Sequence, residues 1–138
     1  MDGESILATI EQRTSQELKS IFIPEWKGTI YCRPMTLDQQ DKIISLARKR
    51  AGKDDKGKQL NPSNSDILTY AIITCALNES GEKIFTAEHR DILKSKEDWR
   101  VISRVGNFIQ LGVDLGSGAQ EITIEEAEEE LQEEEEGN

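Results

Sequence analysis

The side chains able to do chemistry are few and poorly spaced for it. The single histidine, His89, has no Cys or His beside it in sequence, and no pair near it has the spacing of zinc ligands. It follows Glu88 on a polar stretch and reads as an exposed surface residue. Cys32 and Cys75 stand alone at unrelated spacings. A disulfide framework would be denser, so both are expected as reduced, small core residues. The chain contains no GxSxG, GxxxxGK[ST] or GxGxxG, the turns that expose a nucleophile or cradle a phosphate. Two glycines imitate the sixth position of a calcium loop, and both fail. Gly81 there would put Ala76 and Ala87 where carboxylates are required, and Gly57 would put Gly52 and Ser63 there. No catalytic, cofactor-binding or metal-ligating residue is expected, which leaves binding. The residues singled out for partner contact are Trp26 and Lys27 in a turn, Asp54, Asp55 and Leu60 in a polar loop, and Ile124 and Leu131 in an acidic tail.

Charge locates that tail. The formal net charge is −10, yet all 17 Lys and Arg lie between Arg13 and Arg104. Of the 27 Asp and Glu, ten are Glu within 119–138, so the 17 acids of residues 1–118 balance the bases. A neutral domain with a polyanionic end lacks the uncompensated basic surface that phosphate backbones require, and nucleic acid is not an expected partner. No apolar run approaches the ~18 residues that span a bilayer. Met1-Asp2-Gly3-Glu4 is acidic where a signal peptide would be basic. The expectation is a cytoplasmic protein without a membrane partner, with one globular domain over 1–118 and a disordered acidic tail over 119–138.

The elements expected to carry these residues make an α+β domain, mainly helical, with one N-terminal β-hairpin. Residues 4–16 place Ile6, Leu7 and Ile10 on one helical face. Segments 18–23 and 29–33 are rich in β-branched and aromatic residues and read as a hairpin, with Gly28 available for a positive φ in the connection. Phe22, Ile30 and Cys32 are expected on its buried face, with Lys19 and Arg33 in water. Trp26 has two readings: an interface contact at an exposed turn, or an indole folded back over the sheet edge. Thr36 and Gln39 form a capping box opening a helix to Ala51, with Leu37, Ile43, Ile44 and Ala47 inward. Residues 52–64 read as a mobile loop. Ser63 or Ser65 caps a helix to about Asn78, and Thr86 a short one holding Ile92 and Leu93. A box from Ser95 to Asp98 starts a last, central helix with Trp99, Ile102, Val105, Phe108 and Ile109 in the core.

The order of these pieces resembles the tail assembly chaperones of long-tailed bacteriophages and prophages, over roughly residues 4–113. The resemblance is carried by Ile23-Pro24-Glu25-Trp26-Lys27-Gly28, Tyr31-Cys32-Arg33-Pro34-Met35, Cys75-Ala76-Leu77, Gly81-Glu82-Lys83-Ile84-Phe85-Thr86 and Gly106-Asn107-Phe108-Ile109. It implies a non-enzymatic protein of the host bacterial cytoplasm that coats the phage tape-measure protein and is absent from the finished virion. It further implies a longer form, made by a −1 ribosomal frameshift, that recruits the tail-tube protein. Glu136-Gly137-Asn138 can be encoded as GAG GGA AAC, which contains a slippery heptamer in the correct phase. Self-association is left open, and the alternative is an acidic-tailed regulator or inhibitor acting by protein binding.

In the tail, Thr123 to Glu126 forms a capping box, and Ile124, Ala127 and Leu131 fall on one narrow stripe. Like-charge pairs four apart, among them Glu121/Glu125 and Glu129/Glu133, cost about 0.2–0.5 kcal/mol each and oppose that helix. Circular dichroism of a 119–138 peptide should show little helix at pH 7 and more at pH 4, where the carboxylates begin to be neutralised. Equal and negligible helix at both would leave a solubilising tail that never orders.

Overall fold

The computed structural model describes residues 2–116. The expectations for the tail, with Ile124 and Leu131, lie outside the described residues. Helix α1 spans Gly3–Gln16, strands β1 Lys19–Ile23 and β2 Gly28–Cys32, and helices α2 Leu37–Ala51, α3 Asn64–Cys75, α4 Arg90–Ser95 and α5 Trp99–Leu111. The architecture is α+β and mainly helical, with one two-stranded antiparallel hairpin near the N-terminus. Among the described residues no helix is long and apolar enough to cross a membrane.

The helix starts follow their caps. The Asp2 carboxylate accepts from the Ser5 N–H at 2.8 Å and opens α1. Thr36 and Gln39 complete the expected box, the Gln39 N–H donating to Thr36 Oγ1 at 3.2 Å and the Thr36 N–H to Gln39 Oε1 at 3.3 Å. Ser63 rather than Ser65 caps α3, accepting from the Asp66 N–H at 3.1 Å. The box expected from Ser95 does not form. The Ser95 hydroxyl donates to the Asp91 carbonyl inside α4, and Asp98 alone caps α5 through the Arg100 N–H at 2.8 Å.

The hairpin corrects the sequence reading by one residue. Ile21 lies opposite Ile30 and Ile23 opposite Gly28, so Ile21, Ile23, Ile30 and Cys32 are buried while Phe22 is 57% exposed. Strand side chains alternate between faces, and burying two isoleucines of β1 forces the phenylalanine between them outward. Lys19 and Arg33, expected in water, are both half-buried. The positive φ falls on Lys27 at 52°, not on Gly28, which is paired in β2. A single extra rung extends the sheet: Leu77 bridges Tyr31 on one side and Lys83 on the other. That pairing takes up the backbone at Ala76 and Leu77, which is why α3 stops at Cys75 short of the expected Asn78.

The central helix is α3, not α5. Leu68, Thr69, Ala71, Ile72, Ile73 and Cys75 are all buried, with α2, α4 and α5 packed around them. Helix α5 is one-sided: Val101, Ile102, Val105, Phe108 and Ile109 go inward, but Trp99, expected in the core, is 44% exposed. In α2, Ile43 and Ala47 are buried and Ile44 half-buried, while Leu37, expected inward, is 81% exposed in the capped first turn. The 52–64 segment, expected as a mobile loop, carries its own hydrogen bonds. Lys53 bridges Gln59, whose Nε2 donates to the carbonyls of Arg48, Gly52 and Leu60 at 2.8–2.9 Å.

Helices α3 and α5 approach closely at Gly106. A Cβ there would sit 2.7 Å from Leu68 Cδ2 and 3.4 Å from the Leu68 Cα, so part of the obstacle is backbone. Gly106→Ala should gain about 1 kcal/mol of helix propensity against an overpacking cost of about 1–3 kcal/mol, a net loss of about 1 kcal/mol. A urea melt of the two proteins measures the difference, and an unchanged midpoint would show that α5 shifts freely.

Candidate functional site

The chemistry-bearing side chains are absorbed by structure. His89 is half-buried rather than exposed, because its Nδ1 accepts from the Thr86 N–H at 3.0 Å and its ring meets Phe85 edge-on at 5.9 Å. Both cysteines are buried and free. Burial first, then the neighbouring Cys75, pushes the Cys32 thiol up to about 11. Burial also raises Cys75. Neither supplies the thiolate that nucleophilic attack requires. Among the described residues no group of three His, Cys, Asp or Glu side chains could share a metal ion.

One buried ionic node stands out. Asp66, in the first turn of α3, accepts from Arg90 at 2.8 Å and from Lys94 at 2.6 Å, both on α4. Asp66 and Arg90 are buried, and the Arg90 guanidinium also lies 5.7 Å over the Tyr70 ring. Desolvation alone would raise the Asp66 pKa, but hydrogen bonds from Lys94, Arg90 and Ser63 outweigh it and hold the carboxyl below 3.8. The node clamps α4 onto α3.

With α4 fixed, an apolar groove of about 510 Å³ opens between it and the hairpin. Ile30 and Leu93 are buried at its floor, Ile84 and Phe85 are half-buried in one wall, and Ile92, 59% exposed, stands at the other. Trp26 closes one end from the short 3-10 turn Pro24–Trp26. Its indole meets Phe85 edge-on at 5.8 Å, and its Nε1 donates to Glu97 Oε2 at 2.5 Å. That bond carries the hairpin tip to the link between α4 and α5. Lys96 lies exposed on the rim.

The Trp26 indole folds back over the sheet edge and in doing so lines the groove. Lys27 is exposed at the adjacent tip. Asp54, Asp55 and Leu60 do not line the groove. Asp54 Oδ1 is engaged by the N–H groups of Lys56 and Lys58 at 2.9 Å, Asp55 is exposed, and Leu60 is 43% exposed. The loop instead borders a separate depression of about 380 Å³ with Arg48, Lys49 and Gln59. Phe85, Ile92 and Glu97 were missed as site residues. One signal was legible: Ile92 and Leu93 are adjacent in a helix too short to bury both.

No family model matches this chain, and neither the curated proteins nor the solved structures contain a match to it.

The Asp66 node sets a pH dependence. Because the carboxyl is held below its unfolded value, its contribution is complete above that value and is lost as pH falls through the folded one. Asp66→Asn should flatten the acid limb of the stability-pH curve. It should cost about 3 kcal/mol at neutral pH, the low end for breaking a buried pair, since Asp91 still faces Arg90 at 2.9 Å. Chemical denaturation from pH 7 to pH 3 measures both effects, and parallel curves for the two proteins would contradict this role.

Proposed function

We propose that the protein is a tail assembly chaperone of a long-tailed phage or prophage. It binds the tape-measure protein in the host bacterial cytoplasm, assists tail-tube assembly through a longer frameshifted form, and leaves before the virion is complete. The observation that carries the binding half of this reading is the open apolar groove between Trp26 and Ile92. A helix-in-groove contact needs an apolar trough wide enough for two or three side chains of an amphipathic helix, and long helical partners supply such faces repeatedly. The order of motifs around Pro24-Glu25-Trp26 and Gly81 to Thr86 supports the particular family.

Co-expression with a helical tape-measure fragment tests the reading. The parent protein should keep the fragment soluble. Trp26→Ala and Ile92→Glu should reduce the soluble complex by about tenfold, as expected when a central contact side chain is lost. Shortening the 52–64 loop should leave the yield unchanged. A fragment equally soluble with both groove variants would remove the groove from the contact, and one insoluble even with the parent would remove the chaperone reading.

A further inference from the structure

Residues 1–118 are neutral as a whole, but their charge is not evenly spread. Arg48, Lys49 and Arg50 end α2, and Lys53, Lys56 and Lys58 follow, against only Asp54 and Asp55. This stretch is four charges positive, which leaves the rest of 1–118 four charges negative. The fold gathers the bases together. Lys53 bridges Gln59, the Asp54 N–H donates to the Lys58 carbonyl at 2.9 Å, and the Leu60 N–H to the Gly52 carbonyl at 3.0 Å. A small hairpin thus folds back on the last turn of α2, pinned there by the Gln59 amide. All six bases are exposed. Arg48, Lys49 and Lys53 line the depression of about 380 Å³, and no acid does.

This surplus is not used up inside the domain. Cations in a last helical turn ordinarily offset the negative end of the dipole, but three of the six lie beyond α2. The Arg48 and Gly52 carbonyls already accept from Gln59 Nε2. Among the described residues none of the six enters an ion pair, whereas Arg13, Lys19, Arg90, Lys94 and Arg104 all do. The other acids of α2, Asp38 and Asp41, lie toward its N-terminal end. The single charge of α3, Asp66, is taken by Arg90 and Lys94. Of the two acids within the stretch, Asp54 is turned onto the N–H groups of Lys56 and Lys58, and Asp55 is exposed.

We propose that the acidic segment 119–138 of the same chain docks on this basic surface and covers it. Charge is complementary: the segment carries ten Glu and no base. Its Glu side chains four apart repel one another, and facing bases relieve that repulsion. Length suffices as well. The nine residues from Gly116 to Glu125 span up to about 30 Å when extended, against a radius of gyration of about 13 Å for a domain of this size. Nucleic acid is the competing occupant, since phosphates would meet the same bases. The segment has the advantage of being tethered, at an effective concentration of about 1 mM that a free polyanion must match. The contact is separate from the apolar groove and does not depend on the groove's partner.

Paramagnetic relaxation in the full chain is the test, with a nitroxide on Gln132→Cys and isotope-labelled backbone amides. Cys32 and Cys75 are buried, with thiol pKa values raised by that burial, so the label goes to the introduced thiol. Broadening should be strongest over residues 48–58. It should vanish when Arg48→Glu, Lys49→Glu and Lys53→Glu are combined, and fade near ~1 M salt, where charges act over only about 3 Å. All three sites are exposed, and circular dichroism checks that the fold is kept. Broadening centred elsewhere, or undiminished by the three substitutions, would overturn the proposal. So would equal broadening with nitroxide and isotope on different molecules, since the segment would then bind a second copy. A fluorescent oligothymidylate reads the same surface from outside. It should bind about tenfold more tightly once the Glu residues of 119–138 are changed to Gln, as a tethered competitor is removed. The three substitutions should abolish that gain. A parent protein that binds the oligonucleotide as tightly as the Gln-substituted chain would show a surface open to nucleic acid, and the docking would be wrong.

Discussion

The Asp66 carboxylate is the constraint on which the rest of the working surface depends. Helix α4 has six residues, too few to hold itself together by backbone hydrogen bonds. It stays because Arg90 and Lys94, one turn apart, both reach the same oxygen on α3, with Leu93 buried beneath them. A carboxylate in the first turn of α3 also suits the positive end of that helix. The burial cost of the ions is offset by the geometry of two charged donors on one acceptor. Removing Asp66 would leave the buried Arg90 with Asp91 alone, which makes the node a stronger constraint than its net energy suggests.

From that clamp the groove follows as a composite. Leu93 faces the core, so the next residue toward the N-terminus, Ile92, must face away from it. On the other side the hairpin is fixed by Ile21, Ile23 and Ile30 in the core, and its tip is tied to Glu97 by the Trp26 indole. The extra rung through Leu77 places Ile84 and Phe85 between the two. Beyond α5, the chain turns at Gly112, where φ is 73°, and Asp114 returns to pair with Arg104 at 2.8 Å. Each wall of the groove is therefore anchored in the core or by an ion pair.

Most local signals in the sequence translated well, the Ser95 box and the φ at Gly28 excepted, and long-range ones did not. The Thr36–Gln39 box and the α2 end at Ala51 were legible because both are set by neighbours within one turn. The face of β1 was not, since Phe22 and the isoleucines beside it are equally apolar and only the core decides between them. Trp99 read as core by hydrophobicity, but its position directly after the cap of α5 puts it on the outer face. The groove joins segments near 26–30, 84–85 and 92–97, and no local pattern links them. The loop candidates Asp54 and Asp55 were chosen for exposure, a property that surface residues share whether or not they bind anything.

An open apolar trough on a charge-balanced domain poses a solubility problem that its surroundings address. The groove opens beside Lys96, Glu97 and Asp98 on one side and Glu25 and Lys27 on the other, so the apolar patch is interrupted by charge within a few residues in each direction. Apolar patches rimmed by polar residues are characteristic of interaction sites. Its lining is mostly aliphatic and aromatic with one indole N–H already satisfied. A site of this kind discriminates by shape and loses little when one aliphatic residue of the incoming helix is exchanged for another. Such tolerance suits recognition of many similar amphipathic segments better than of one unique sequence.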